Sequence, residues 1–150
     1  MPVEKKIEEK KAKKKKSRKK GITTKAKKKR AVARAVIKRG NGAIRINRRK
    51  LDVVSPRYVR ELIQEPMTLA GDLANEVDIS VNVRGGGFMG QAVAARGAIA
   101  KALLEFKSDE KLREKFIAYD RLLLVDDVRR VEPKKPLGPK ARKKKQQSKR

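Results

Sequence analysis

The sequence lacks cysteine, histidine and tryptophan, and these absences exclude several kinds of chemistry. Without cysteine the chain cannot form a disulfide framework or use a thiol nucleophile, and without histidine it has no imidazole for acid–base catalysis. The same two residue types supply most zinc and haem ligands, so no site of either kind is expected. The composition is typical of a protein that performs no catalysis and needs no cofactor.

Long apolar runs are also missing. No uncharged apolar stretch approaches the ~20 residues that a helix needs to cross a bilayer. The first residues form a lysine-rich run with no apolar segment behind it, which is not the pattern of a secretory signal. The sequence therefore predicts a soluble, cytoplasmic protein that does not interact with membranes.

Positive charge is in large excess, and it is concentrated at the two ends of the chain. Lys and Arg number 44 against 17 Asp and Glu, which gives a formal charge of +27. Residues 1–30 carry a net +13 and residues 129–150 a net +10, whereas residues 31–128 carry only +4. Because blocks of like charge repel and bury little apolar surface, both ends are expected to be disordered or extended when free. A charge of this size also needs a polyanion as partner.

These shifts in composition divide the chain into three parts. Residues 1–24 form a Lys/Glu-rich extension, residues 25–128 one globular domain, and residues 129–150 an extended basic tail. Within the domain, residues 77–84 alternate apolar and polar, which is typical of a half-buried strand. Residues 31–49 contain two further strand-like runs, and the Asn41-Gly42 pair between them predicts a hairpin.

The first predicted helix has an explicit start and stop. Ser55 is expected to be its N-cap and Pro56 its first helical residue. Pro66 is expected to end this helix near Gln64, because the residue before a proline disfavours helical backbone.

Two more helices are predicted after the cleanest strand, over about 89–106 and 109–118. Alanines and Gly97 are expected to let the longer one lie close against a sheet. A short apolar run at 122–125 is interpreted as a last, buried strand. The resulting order, β-β-α-β-α-α-β, predicts an α+β fold with a small sheet and helices packed on one face.

A glycine-rich turn joins the cleanest strand to the longest helix at residues 84–91, RGGGFMGQ. Gly85 and Gly90 have the first spacing of a phosphate-binding P-loop. Gln91 and Ala92 stand where that motif needs Lys and Ser or Thr, and neither can reach a phosphate or hold Mg²⁺ in their place. We therefore favour a tight structural turn, with a phosphotransferase as the weak alternative.

Two basic segments are candidate nucleic-acid contacts. Residues 25–34, KAKKKRAVAR, lead from the basic extension into a strand, so their cations are expected to lie at the edge of a folded surface. Residues 140–150 form a basic tail of the kind that neutralises phosphates without sequence preference. Only five aromatic residues are present, so base stacking is not expected and recognition is expected to be of backbone and shape.

Several stretches resemble the small-subunit ribosomal protein S9 family, in its archaeal form. The longest is residues 78–103, DISVNVRGGGFMGQAVAARGAIAKAL. Shorter matching pieces are AVARA at 31–35, GAIRIN at 42–47, LLL at 122–124 and the terminal QSKR at 147–150. Together they occur in the order found in that family and cover about residues 25–150.

The resemblance implies a non-enzymatic protein in the head of the small ribosomal subunit, with a body similar to the second domain of ribosomal protein S5. It implies that basic residues of both segments contact small-subunit ribosomal RNA: Lys27, Lys28, Lys29, Arg30, Arg34, Arg142, Lys143, Lys144 and Lys145. It implies that the end of the tail approaches the anticodon stem-loop of the P-site tRNA, through Ser148, Lys149 and Arg150. Neighbouring ribosomal proteins of the head are implied as further partners. From composition alone, a DNA-compacting protein with histone-like tails remains the alternative.

Overall fold

Five strands and three helices make up the computed structural model, which describes residues 21–143. The strands are β1 (Ile22–Lys28), β2 (Ala31–Arg39), β3 (Ile44–Ile46), β4 (Arg49–Lys50) and β5 (Val77–Arg84). The helices are α1 (Arg57–Ala70), α2 (Phe88–Lys107) and α3 (Glu110–Tyr119). The strands form one sheet in the order β1-β2-β5-β3-β4, antiparallel except where β3 runs parallel to β5. The predicted α+β class is confirmed.

The two faces of the sheet differ because side chains alternate along each strand. On β5 the side chains of Val77, Ile79, Val81 and Val83 are buried, while Ser80, Asn82 and Arg84 are exposed. Strand β2 alternates in the same way, with Ala31, Ala33, Ala35 and Ile37 buried. Burial of each Val or Ile side chain contributes about 1.5–3 kcal/mol, so this alternation fixes which face meets the helices. The opposite side, here called the open face, is left to solvent.

Helix α2 lies close to the sheet because its contact surface is made of small residues. Six alanines of this helix are buried, and a Cβ placed on Gly97 would lie only 3.3 Å from the Cβ of Ala26 on β1. The hydroxyl of Thr24 on β1 donates to the carbonyl of Ala98 at 2.8 Å. The prediction that alanines and Gly97 allow a close approach is confirmed, and the bounds of α2 and α3 agree with the predicted ones to within one residue.

The predicted hairpin at Asn41-Gly42 is wrong. Strand β5 lies between β2 and β3, so the two strands flanking this turn do not pair with each other. The loop instead folds over the start of β5, where the Asp78 carboxylate accepts the N–H groups of Asn41 at 2.9 Å and Ala43 at 3.0 Å. The Asn-Gly pair reflects local sequence only, so it cannot show that β5, from much later in the chain, lies between the two strands.

The two hairpins that do form lie elsewhere. Strands β1 and β2 are joined by Lys29-Arg30, and β3 and β4 by Asn47-Arg48. Strand β1 occupies part of the segment that charge alone predicts to be disordered. Thr24 and Ala26 are buried in it, so two small residues between lysines are enough to seat an edge strand.

Helix α1 departs from its prediction at both ends. It begins at Arg57, and Pro56 rather than Ser55 is its N-cap, with extended backbone and no side-chain cap. It continues through Pro66 to Ala70, so the predicted stop near Gln64 is wrong. A proline inside a helix costs about 3 kcal/mol. Here Pro66 is fully buried on the apolar face of the helix, and this packing offsets the cost.

The predicted last strand at 122–125 is also wrong. Residues Arg121–Leu123 form a 3-10 turn, which Asp120 caps by accepting the N–H of Leu122 at 2.8 Å. Only Leu123 is fully buried, whereas Leu122 and Val125 are 47% and 43% exposed. The run therefore inserts a single side chain into the core and adds nothing to the sheet.

Candidate nucleic-acid interface

Basic and polar side chains form transverse rows across the open face. The strand register places Lys25 of β1 beside Arg34 of β2, which lies beside Asn82 of β5. One row along, Lys27 pairs with Val32, which pairs with Arg84. Neighbours in such rows have Cβ atoms about 4.5–5.5 Å apart, so the sheet holds the cations at fixed spacings.

The β3–β4 hairpin brings two more arginines to the same surface. Its turn residues Asn47 and Arg48 both have positive φ, 47° and 70°, as a tight two-residue hairpin requires. The Asn47 side-chain oxygen accepts the N–H of Val83 at 2.8 Å, and this bond pins the turn against β5. In the next row of the open face, Arg45 of β3 lies beside Ser80 of β5. A groove of about 810 Å³ results, lined by residues that include Arg34, Arg45, Arg48 and Arg84.

Among residues 21–143, Asp78 at one end is the acidic residue of the strands whose side chain lies on this face. Its carboxylate is occupied by the N–H groups of Asn41 and Ala43, and these bonds hold the pKa of Asp78 below its ordinary value of 3.8. In the part of the chain that the structure describes, no ion pair involves any of the four groove arginines. The groove therefore presents a net positive charge, and the one electrostatic interaction that Asp78 makes with it is a weak, longer-range one with Arg45.

Aromatic side chains are absent from the open face. All five aromatic residues of the sequence lie in the helices, on the other side of the sheet: Tyr58 in α1, Phe88 and Phe106 in α2, Phe116 and Tyr119 in α3. The face cannot stack bases in the way of sheet-based single-strand readers. Its chemistry suits phosphate and shape, as the scarcity of aromatics predicts.

The glycine-rich turn supports the tip of the β1–β2 hairpin. Gly85 has φ +76°, and a Cβ placed on it would lie 2.6 Å from the carbonyl oxygen of Arg30. Gly86 has φ +67° and packs on Ala31 in the same way. The Gln91 side chain donates to the carbonyl of Gly85 at 3.2 Å, which closes the turn on itself. These contacts support the interpretation as a structural turn.

Known proteins are similar to this chain over most of its length. The family described as Ribosomal protein S9/S16 matches residues 26–150. The small ribosomal subunit protein uS9 of Methanococcus maripaludis strain C5 is 43% identical over 128 residues, which cover 83% of this chain and 96% of that protein. The uS9 protein of strain C7 of the same organism matches with the same identity and coverage. The chain belongs to the ribosomal protein S9 family.

This membership confirms the resemblance drawn from residues 78–103 and the shorter pieces. It makes the protein a structural constituent of the small ribosomal subunit, located in the ribosome, and not an enzyme. Within residues 21–143, no helix is long and apolar enough to span a membrane.

The five RNA-contact candidates of the first basic segment have different environments in this S9-family fold. Arg34 lies in the middle of the open face, and Lys27 lies at its edge on β1. Lys29 and Arg30 form the exposed hairpin tip, with Lys29 at φ +53°. Lys28 points to the helical side, where its amine lies 3.1 Å from the Asp127 carboxylate and only 18% of its side chain is exposed.

The candidates of the second basic segment lie partly beyond the described residues. Arg142 donates to the Glu132 carboxylate at 2.8 Å and is 88% exposed, and Lys143 is exposed. The remaining rRNA candidates, Lys144 and Lys145, and the tRNA candidates, Ser148, Lys149 and Arg150, are outside the described residues.

Sequence reasoning missed three groove residues, Arg45, Arg48 and Arg84. The alternation of Arg45 between Ile44 and Ile46 is the signal that places it on a solvent face. Its neighbours on that face could not be named, because the wrong hairpin put β3 beside β2 rather than beside β5.

Proposed function

We propose that the open face and the hairpin tip bind small-subunit ribosomal RNA through its phosphate backbone. The observation that carries this proposal is the groove with four arginines and no ion pair to any of them among residues 21–143. Guanidinium groups suit phosphate because they offer two parallel donors at fixed spacing. Family membership supplies the source of the phosphates, and the lack of aromatics on the face favours backbone over base contacts.

The test replaces three groove arginines with glutamine: Arg34→Gln, Arg45→Gln and Arg84→Gln together. Each phosphate contact contributes about 0.7–0.9 to the slope of log affinity against log salt, so three lost contacts lower the slope by about 2–3. Binding of the full chain to a transcript of the small-subunit rRNA head domain is measured by filter binding from 50 to 200 mM KCl, with duplex DNA as competitor.

The matched control carries the same loss of charge on the helical side: Arg57→Gln, Arg113→Gln and Arg121→Gln. We expect its slope to change by less than half as much. Equal changes in the two triple variants would show that net charge alone drives binding and that the open face is not the site. Equal competition by duplex DNA would favour the DNA-compacting alternative.

We further propose that the tail reaches the P-site tRNA through Ser148, Lys149 and Arg150. The support is the terminal QSKR, which resembles the family ending, joined to the +10 charge of residues 129–150. The guanidinium of Arg150 can pair bidentately with a phosphate at the very end of the chain. Cytoplasmic location and contacts with neighbouring head proteins stay predictions of the same kind.

The tail proposal is tested by deleting residues 148–150 in the intact particle. We expect weaker tRNA binding in the P site with assembly unchanged, since the deletion leaves the open face and the hairpin tip in place. A control variant replaces Gln146 and Gln147 with alanine, which keeps the chain length and the charge. Unchanged P-site affinity in the deletion would refute the tRNA contact.

A further inference from the structure

Two segments far apart in sequence meet at one end of the open face. One is the hairpin tip, Lys29-Arg30, and the other is residues 126–131, here called the tail root. The tail root runs along the free edge of β1, where the N–H of Asp127 donates to the carbonyl of Lys27 at 3.2 Å. The N–H of Lys27 in turn donates to the Asp126 carboxylate at 3.2 Å. The tail therefore leaves the body beside the hairpin tip.

Asp127 holds this junction together. Its carboxylate accepts the N–H of Arg129 at 2.9 Å and two guanidinium nitrogens of the same residue at 2.9–3.2 Å. The amine of Lys28 lies 3.1 Å away, and only 5% of the Asp127 side chain is exposed. Hydrogen bonds from Arg129 hold the pKa of Asp127 far below its ordinary value. The Lys28 amine and the Arg129 guanidinium therefore both bind the same carboxylate.

Asp126 adds a second tie between the tail root and the body. Its carboxylate accepts the amine of Lys101 on α2 at 2.6 Å. The same amine lies 3.4 Å from the carbonyl of Lys25 on β1, so one lysine joins helix, edge strand and tail root. Both aspartates are therefore already paired with cations of the protein.

The result is a cationic cleft of about 560 Å³ between the hairpin tip and the tail root. Five cations line it, with two valines beside them: Lys27, Lys29, Arg30, Arg129, Arg130, Val32 and Val131. Arg130 is exposed, and no ion pair involves it within residues 21–143. The cleft adjoins the groove of the open face, because Val32, which lines the cleft, pairs with Arg84, which lines the groove.

We propose that this cleft binds one strand of RNA phosphodiester backbone and that Asp127 is the residue that positions its two halves. The proposal rests on the proposed RNA-binding function and extends the same surface. Four of these cations form no ion pair within residues 21–143, namely Lys27, Lys29, Arg30 and Arg130. Four free cations on two separate segments match the repeated charge of a backbone strand better than a single small anion. Because the cleft adjoins the groove, one strand could run from the open face to the origin of the tail.

The test uses the full chain and the same rRNA transcript, with Arg130→Gln, Arg30→Gln and their double variant. Each single change is expected to lower the salt slope by about 0.7–0.9, which makes the affinity loss between 50 and 200 mM KCl roughly 3-fold smaller. Arg113→Gln on α3 is the control for one lost charge. Because each side chain is expected to neutralise a different phosphate, the double variant should lower the slope by about 1.4–1.8, the sum of the two single effects.

Asp127→Asn tests the positioning role, with thermal unfolding followed in parallel. If Asp127 positions the tail root, Arg130→Gln has no further effect in the Asp127→Asn background. If the aspartate only stabilises the fold, Arg130→Gln keeps its full effect there, and the positioning role is refuted. Equal slopes for Arg130→Gln and Arg113→Gln refute the cleft itself, independently of how Asp127→Asn folds. If the groove triple variant also has the same slope as its charge-matched control, the proposed RNA-binding function is refuted, and not the cleft alone.

Discussion

The glycine-rich turn gives the sharpest prediction about how the binding surface is built. Gly85→Ala adds one methyl group at a position with φ +76°, 2.6 Å from the carbonyl oxygen of Arg30. A non-glycine residue in the left-handed region costs about 1–2 kcal/mol. The contact with rigid backbone adds about 1–3 kcal/mol of overpacking. The loss of unfolded-state entropy offsets about 0.4–1 kcal/mol of this.

The net expectation is a destabilisation of about 1–5 kcal/mol for Gly85→Ala. Gly87→Ala in the same turn is the matched control, since its backbone has no positive φ and no atom lies within 4 Å of an added Cβ. A weaker N-cap and a stiffer unfolded chain nearly cancel there, so its stability is expected to change by less than about 0.5 kcal/mol. Urea unfolding followed by far-UV circular dichroism measures both variants.

The same substitution also has a functional consequence. Relief of the clash must change the position of the hairpin tip relative to the turn, because the atom that Gly85 faces belongs to the backbone of Arg30. Weaker RNA binding is expected at a temperature where the variant is still folded. If Gly85→Ala and Gly87→Ala are equally stable and bind RNA equally, the turn does not support the hairpin tip and the structural interpretation fails.

Three further predictions concern the body of the protein. Leu123→Ala is expected to cost about 2–5 kcal/mol in urea unfolding because this side chain is fully buried, whereas Leu122→Ala, at a position 47% exposed, is expected to cost far less; equal costs would contradict the described packing. Arg96→Met removes the cation that lies 2.6 Å from Glu65 and 2.9 Å from Asp120, and a loss of about 2–4 kcal/mol is expected in the same assay because both acids are partly exposed; a neutral result would show that the network is dispensable. For Asp78→Asn, the lowered pKa of the native carboxylate means that its stabilisation is present above the unfolded value of 3.8 and is lost as pH falls through the folded one. Unfolding midpoints between pH 6 and 2 should therefore fall more steeply in the wild type than in this variant, and parallel curves would refute the assignment.

Elements with a strong, unbroken period could be predicted from sequence alone. The alternation of β5 and the apolar face of α2 are both set by side chains that must be buried, and both elements appear where predicted. Small residues in α2 also predicted its close approach to the sheet. Gly97 has no side chain, and this allows the helix backbone to pack directly against Ala26 of β1.

Pairing and termination were harder, because both depend on partners that lie elsewhere in the chain. The Asn41-Gly42 turn has a hairpin sequence, yet the bonds that form there go to Asp78 at the start of β5. Pro66 has a helix-breaking effect of its own, yet its burial in the core lets α1 continue. In both cases a tertiary contact outweighed a local preference.

Only part of the candidate site could be predicted, because some of its residues become neighbours only through tertiary structure. Arg34 and the hairpin tip could be named because their charge is continuous in sequence. The groove also needs Arg45 and Arg84, which become neighbours only through the order β2-β5-β3. A sequence with 44 basic residues offers too many candidates for charge alone to select among them.

The acidic residues are the better guide to which cations are free to take part in the proposed RNA binding. Asp127 engages Lys28 and Arg129, and Asp126 engages Lys101, so these cations serve the fold first. The arginines of the open face and Arg130 form no such pair in the described part of the chain, although Asp127 lies close to Arg130 in sequence. Since an ion pair must be broken or shared before a phosphate can take its cation, uncompensated arginines bind RNA at the lower energetic cost. In a protein as basic as this one, the positions of the carboxylates therefore decide which cations the proposed binding surface can use.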